Sequence, residues 1–130
     1  MNLKHNYIPL SIPYLNGKEK EYTLRCFKDN WLSSAGPYIE KFEKSFADYL
    51  GVKFAVACSS GTSSLHLALK ALNVGVGDLI IAPNLTFIAT ITPIIWTGAT
   101  PVLCDVDANN SCLDINKIKK LINRKTKCII

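Results

Sequence analysis

The sequence predicts an α/β fold built on a mostly parallel sheet with flanking helices. After Gly51, short apolar runs alternate with helical segments, giving four runs separated by three helices. The runs are apolar throughout, as expected of strands in a parallel sheet, which is covered on both faces. This order of elements is typical of βαβ crossovers.

Two amphipathic helices are predicted before the alternating region. Apolar residues among charges place the first helix within residues 17–30, and residues 31–37 (WLSSAGP) form a loop. In the second helix, apolar residues recur every three or four positions and stop at Gly51. They are Tyr38, Ile39, Phe42, Phe46, Tyr49 and Leu50.

The alternating region is predicted to contain strands at 54–58 (FAVAC), 79–83 (LIIAP), 101–106 (PVLCDV) and 127–130 (KCII), with helices at about 62–72, 87–96 and 114–122. Residues 79–104 carry no charge over 26 positions, more than the roughly 20 that cross a bilayer. Three prolines and five threonines interrupt them. We therefore expect a buried strand, helix and strand here, and no membrane partner.

The net charge of +5 arises at one end of the chain. Residues 1–113 hold nine basic and nine acidic side chains, whereas residues 114–130 hold six basic side chains, one acidic one and no aromatic. Nucleic-acid sites spread their cations and add aromatics for stacking. The sequence therefore predicts no nucleic-acid partner.

The five cysteines are odd in number and never form a CxxC pair. That pattern argues against a disulfide framework and a zinc site, and it favours a reducing, cytoplasmic location. The first residues also lack the apolar core of an export signal. Cys58, Cys104 and Cys128 close predicted strands and are expected to be small buried hydrophobes.

The strongest local motif is the run ACSSGTSS at 57–64, where a strand hands over to a helix. Amide groups at a helix N-terminus are unpaired and the helix dipole is positive there, so this turn could bind a phosphate. The same residues also suit a simple helix N-cap. The run lacks the lysine of a P-loop and the glycine spacing of a dinucleotide fingerprint.

Three further features of the sequence bear on a possible site. Phe87, in the run PNLTF, follows a strand and could either stack on a planar ligand or pack in the core. Asp105 and Asp107 follow the next strand and favour capping of a turn, since no His, Cys or Glu accompanies them at metal-ligand spacing. His66 lies between leucines in a helix and is predicted to be a packed structural residue.

Together these runs resemble the DegT/DnrJ/EryC1/StrS group of pyridoxal-phosphate (PLP)-dependent nucleotide-sugar aminotransferases. The resemblance covers nearly the whole chain and is most specific in its order of blocks. The blocks are IPLS (8–11), WLSSAGP (31–37), FE (42–43), YLGVK (49–53), SGTSSLHLAL (60–69), GVGD (75–78), PNLTF (83–87), GATPV (98–102) and DVD (105–107). The opening of the chain resembles perosamine-type or legionaminic-type enzymes of surface polysaccharide and O-antigen synthesis.

The resemblance implies the N-terminal part of the large domain of fold type I, the aspartate-aminotransferase fold. It implies that Gly61 and Thr62 receive the cofactor phosphate, that Phe87 stacks on the pyridine ring, and that residues 31–36 lie near the substrate entrance. The implied reaction transfers an amino group from an amino acid to a nucleotide-linked keto-sugar. Family members are usually homodimers.

The resemblance also implies what is missing. The Schiff-base lysine and the acid that pairs with the pyridinium nitrogen lie downstream in such proteins, and no Lys or Arg here matches the lysine's motif. No catalytic residue is therefore assigned, and the chain is expected to be truncated within a strand and inactive alone. We expect an N-terminal arm and helices at 1–50 and an incomplete PLP-binding domain at 51–130. Two alternatives stay open: a same-fold sugar dehydratase, with histidine replacing the lysine, and a non-catalytic remnant or binding module.

Overall fold

A computed structural model of the protein describes residues 7–130. The chain divides into two compact units, which meet in sequence between Ala57 and Cys58. The boundary expected after residue 50 falls inside the first unit. Residues 1–6 of the expected N-terminal arm lie outside the described residues.

The first unit contains the two predicted amphipathic helices, α1 (Lys18–Lys28) and α2 (Pro37–Leu50). Pro37 is the first residue of α2. Backbone amides in the first turn have no acceptor within the helix, so the missing N–H of proline costs no hydrogen bond there. Gly51 ends α2 in the left-handed conformation (φ 67°), and the Val52 amide donates to the Ala47 carbonyl at 3.0 Å. The predicted glycine stop is therefore confirmed as a helix-ending Schellman motif.

The loop before α2 depends on a glycine. Gly36 has φ 130°, and a Cβ atom there would lie 2.6 Å from the Trp31 ring. Side chains other than glycine rarely adopt this backbone conformation, and the ring leaves no room for one. The Trp31 ring therefore packs directly on the glycine backbone.

The strand predicted at residues 54–58 is wrong: none of these residues is in a strand. Phe54 and Val56 are 74% and 69% exposed, so no layer of the described residues covers them. The Ala57 amide donates to the Glu43 carboxylate at 2.8 Å instead of to a neighbouring strand. An apolar run becomes a strand only where a partner edge and a covering face exist.

The second unit is a three-stranded parallel sheet with helices, as the sequence predicts. Strand β1 (Leu79–Pro83) lies between β2 (Thr100–Cys104) and β3 (Thr126–Ile129). The helices are α3 (Gly61–Ala71), α4 (Thr92–Trp96) and α5 (Ile115–Leu121). Pro83 of β1 pairs with Cys104 of β2, so the two strands end side by side.

The core forms around the central strand. Ile80 and Ala82 point to one face of the sheet and cluster with Leu69 of α3 and Ile94 of α4. Ile81 points to the other face and is also fully buried. Both faces of β1 are covered, which explains why its sequence is an unbroken apolar run.

The helix predicted over residues 87–96 is wrong in its first half. Residues Ile88–Thr90 form one 3-10 turn, and α4 begins only at Thr92. Pro93 has no amide to donate to the carbonyl one turn earlier, so a helix that began at residue 87 would lose a hydrogen bond at this position. A proline is tolerated in the first turn of a helix, and Pro93 is the second residue of α4, so a new helix begins here instead of continuing from residue 87.

The cysteines differ in environment. All five are free, and Cys104 is buried, which confirms its predicted place at the end of a core strand. Cys128 is half-buried, and burial raises the pKa of its thiol. Cys58 is exposed, contrary to the prediction, because the strand that was to bury it does not form.

Residues 79–104 form a strand, a helix and a strand in the predicted order, but only β1 is buried throughout its central residues, while β2 and α4 are partly exposed. Among the helices of the described part of the chain, none has both the length and the apolar character needed to span a bilayer.

Candidate functional site

The predicted phosphate turn lies at the first residues of α3. Ser60 is its N-cap, with extended backbone (φ −162°), and its hydroxyl oxygen accepts the Ser63 amide at 3.2 Å. Ser64 donates twice to the Ser60 carbonyl, from its amide at 3.0 Å and from its hydroxyl at 3.1 Å. Serine is a preferred N-cap because its oxygen satisfies an amide that the helix leaves unpaired.

The amides of Gly61 and Thr62 are left free by this cap: within residues 7–130 neither has an acceptor. A Cβ atom at Gly61 would meet nothing within 4 Å, so the space beside the backbone of this residue is open. No acidic side chain occupies the first turn. Two free amides, the positive end of an 11-residue helix and open space suit an anion.

Replacing Ser60 by alanine should destabilise the second unit by about 0.5–2 kcal/mol, because the Ser63 amide loses its acceptor. Urea unfolding followed by circular dichroism measures this change. Ser60→Asp serves as the control, since aspartate is an equally preferred N-cap and keeps an acceptor for the Ser63 amide. An equal loss in both variants would contradict the capping role.

Phe87 lies four residues beyond β1, immediately before the 3-10 turn. Its side chain is 72% exposed, so it is not the core residue that the sequence left as an alternative. Its carbonyl accepts the Thr90 amide at 2.9 Å, and the hydroxyls of Thr86 and Thr90 are 2.8 Å apart. An ordered backbone therefore presents an exposed aromatic ring.

The elements that carry the three predicted residues are neighbours. Helix α3 packs against both the 3-10 turn and α4. The 3-10 turn follows the carboxyl end of β1, and its packing against α3 brings this helix to the edge where the strands end. In parallel α/β sheets, ligands bind at this carboxyl edge.

A side-chain network at the same edge was missed by the sequence reasoning. The Asn84 amide donates to Asp105 Oδ1 at 2.7 Å, and Lys117 Nζ donates to Asp105 Oδ2 at 3.0 Å. The hydrogen bond to the carboxylate raises the pKa of Lys117. The available signal was positional: Asn84 and Asp105 directly follow two strands of a predicted parallel sheet.

Asp107 and His66 have local roles. Asp107 accepts the Asn109 amide at 2.8 Å, which confirms the predicted turn cap for Asp107. The same prediction for Asp105 is wrong, since its carboxylate accepts from the side chains of Asn84 and Lys117 instead. His66 is half-buried and contacts Trp96 edge-on, with ring centroids 5.5 Å apart, as expected of a packed histidine.

Comparison with known proteins connects this arrangement to a family. Residues 13–130 match the model of the DegT/DnrJ/EryC1/StrS aminotransferase family. GDP-perosamine synthase of Caulobacter vibrioides is 48% identical over 123 residues, which are 95% of this chain and 33% of that protein. The chain therefore spans about a third of the length of this relative.

Solved structures agree with the fold. A protein of Streptococcus pneumoniae described as a sugar aminotransferase, solved in its PMP form, superimposes with a TM-score of 0.85 at 32% identity, over 94% of this chain and 31% of its own. An aminotransferase from Psychrobacter cryohalolentis gives 0.84 at 35% identity, over 93% and 31%. The fold is thus that of the PLP-dependent sugar aminotransferases, fold type I. With nine-tenths of its length matched, the chain belongs to the DegT/DnrJ/EryC1/StrS aminotransferase family.

Proposed function

We propose that this chain forms the cofactor-phosphate part of a PLP-dependent aminotransferase that transfers an amino group from an amino acid to a nucleotide-linked keto-sugar. The observation that carries the proposal is the open N-terminus of α3, with free amides at Gly61 and Thr62, in a chain 48% identical to a GDP-perosamine synthase. A GDP-linked keto-sugar is therefore the favoured acceptor.

Gly61 and Thr62 hold the cofactor phosphate through their backbone amides, and Phe87 covers one face of the pyridine ring. The residues fit the group, since a phosphate suits a helix N-terminus and a flat ring suits an exposed aromatic side chain. Bound PLP supplies an electron sink for the carbon that gains or loses the amino group. Residues of this chain contribute binding and orientation.

The remaining parts of the proposal follow from the family. Relatives include a spore coat polysaccharide biosynthesis protein of Bacillus subtilis, 39% identical over 127 residues, which supports a role in surface polysaccharide or O-antigen synthesis. We place the enzyme in the cytoplasm as a homodimer. The residues from Gly51 onward belong to its PLP-binding domain.

A chimera tests the function. Residues 1–130 replace the matching segment of the Caulobacter vibrioides GDP-perosamine synthase, and formation of GDP-perosamine from the GDP-linked keto-sugar and glutamate is measured. We expect the chimera to retain activity within about tenfold of the parent, because this segment provides the same phosphate turn and aromatic side chain.

The parent enzyme and a chimera with Gly61→Glu serve as the controls. A chimera that folds and binds PLP but forms no amino sugar would contradict the proposed reaction. An active chimera that the Gly61→Glu change leaves unaltered would contradict the proposed phosphate site.

A further inference from the structure

One carboxylate joins three elements at the carboxyl edge of the sheet. Asp105 directly follows β2, Asn84 directly follows β1, and Lys117 lies on α5. Asp105 Oδ1 accepts the Asn84 side-chain amide, and its Oδ2 accepts Lys117 Nζ. A carboxylate is acceptor-only and has two oxygens, so it can hold both donors at once.

Asn84 is held at two points, by the last residue of β2 and by Asp105, which follows it. Besides its side-chain bond to Asp105, its backbone amide donates to the Cys104 carbonyl at 2.9 Å. Phe87 follows three residues later. The hydroxyls of Thr86 and Thr90, which lie on either side of Phe87 in the sequence, form a hydrogen bond. The segment 84–90 is thus fixed at its start by Asp105 and at its end by the threonine pair.

Phe87 itself has little to hold it, because most of its surface is exposed. The backbone on either side therefore sets where the ring lies. We propose that Asp105 is a positioning residue that acts through Asn84 to hold Phe87 where its ring covers the cofactor. The inference rests on the proposed cofactor role of Phe87.

Lys117 explains why a charged carboxylate serves this purpose. It donates to the outer oxygen of Asp105 from α5 and so fixes the rotation of the carboxylate, which leaves Oδ1 directed at Asn84. Hydrogen bonds to an ionised acceptor are stronger than those between neutral groups. Asp105 lies on the surface, so its replacement leaves the core intact.

The test uses the full 130-residue chain, labelled with ¹⁵N. Two probes are titrated: inorganic phosphate, which reports the α3 amides alone, and pyridoxine 5′-phosphate, which adds the ring but lacks the aldehyde that reacts with lysines. In Asp105→Ala we expect pyridoxine 5′-phosphate to bind about three- to tenfold more weakly, the worth of an aromatic contact. Inorganic phosphate should bind within about twofold of the wild-type chain, because the α3 turn is untouched.

Amide hydrogen exchange supplies a readout that needs no ligand. Exchange of the Asn84 and Thr90 amides, which donate to the Cys104 and Phe87 carbonyls, should accelerate about threefold or more in Asp105→Ala, because local openings of the released segment become more frequent. Asp107→Ala is the matched control, since that carboxylate bonds within its own turn, and it should change neither measurement. Asp105→Asn keeps a neutral acceptor for Asn84 but loses the ion pair with Lys117, and should restore part of the affinity.

The outcomes separate the inference from the proposed function. If pyridoxine 5′-phosphate binds the wild-type chain no more tightly than inorganic phosphate, Phe87 does not cover the ring, and both ideas fail. If the ring adds affinity but Asp105→Ala keeps that gain and the wild-type exchange rates, only the positioning role is overturned.

Discussion

Replacing Ile80 by alanine should lower the free energy of unfolding of the second unit by about 2–5 kcal/mol. Ile80 lies on the central strand, is fully buried and packs with Leu69 and Ile94. Truncating its side chain leaves a cavity, and the core around that cavity contains few other residues. Since small domains are stable by only about 5–15 kcal/mol, this one change removes a large share.

Urea unfolding monitored at 222 nm measures the effect. Ile129→Ala is the matched control, because it removes the same side chain from edge strand β3, where Ile129 is 44% exposed. We expect the control to cost about 1 kcal/mol or less. Equal losses in the two variants would contradict the placement of the core around β1.

The central strand was predictable from the sequence and the segment at residues 54–58 was not, although both are apolar runs. LIIAP forms β1 because strands on both sides and helices on its faces are supplied by the chain itself. FAVAC offers the same residue types but lacks a partner strand among the described residues. The pattern of apolar residues shows which segments can be buried. Whether such a segment pairs as a strand depends on other strands that lie elsewhere in the chain.

The candidate site shows the same division. The turn at Gly61 and Thr62 was predictable because its signal is local: hydroxyl residues and glycine at the start of a helix. The bond from Asn84 to Asp105 spans 21 positions and that from Lys117 to Asp105 spans 12, so no local pattern reveals them. These hydrogen bonds can be inferred only once the register of β1 against β2 is known.

The phosphate turn makes a further prediction in which stability and binding change in opposite directions. Gly61→Glu should stabilise α3 by about 1 kcal/mol, because the open space admits the side chain, glycine disfavours helix, and a carboxylate suits the positive helix end. The same charge repels a phosphate from the free amides. Binding of inorganic phosphate and pyridoxine 5′-phosphate should therefore weaken at least about tenfold.

Chemical shift changes of the Gly61 and Thr62 amides measure binding, and thermal unfolding measures stability. Gly61→Gln is the control, because it has nearly the same size without the charge and should keep most of the affinity. A Gly61→Glu chain that binds phosphate like the wild type would show that the anion sits elsewhere. A chain that is both less stable and unable to bind would instead show that the turn needs glycine for its own conformation. The proposed phosphate site predicts one result: the Gly61→Glu chain is more stable than the wild type and no longer binds phosphate.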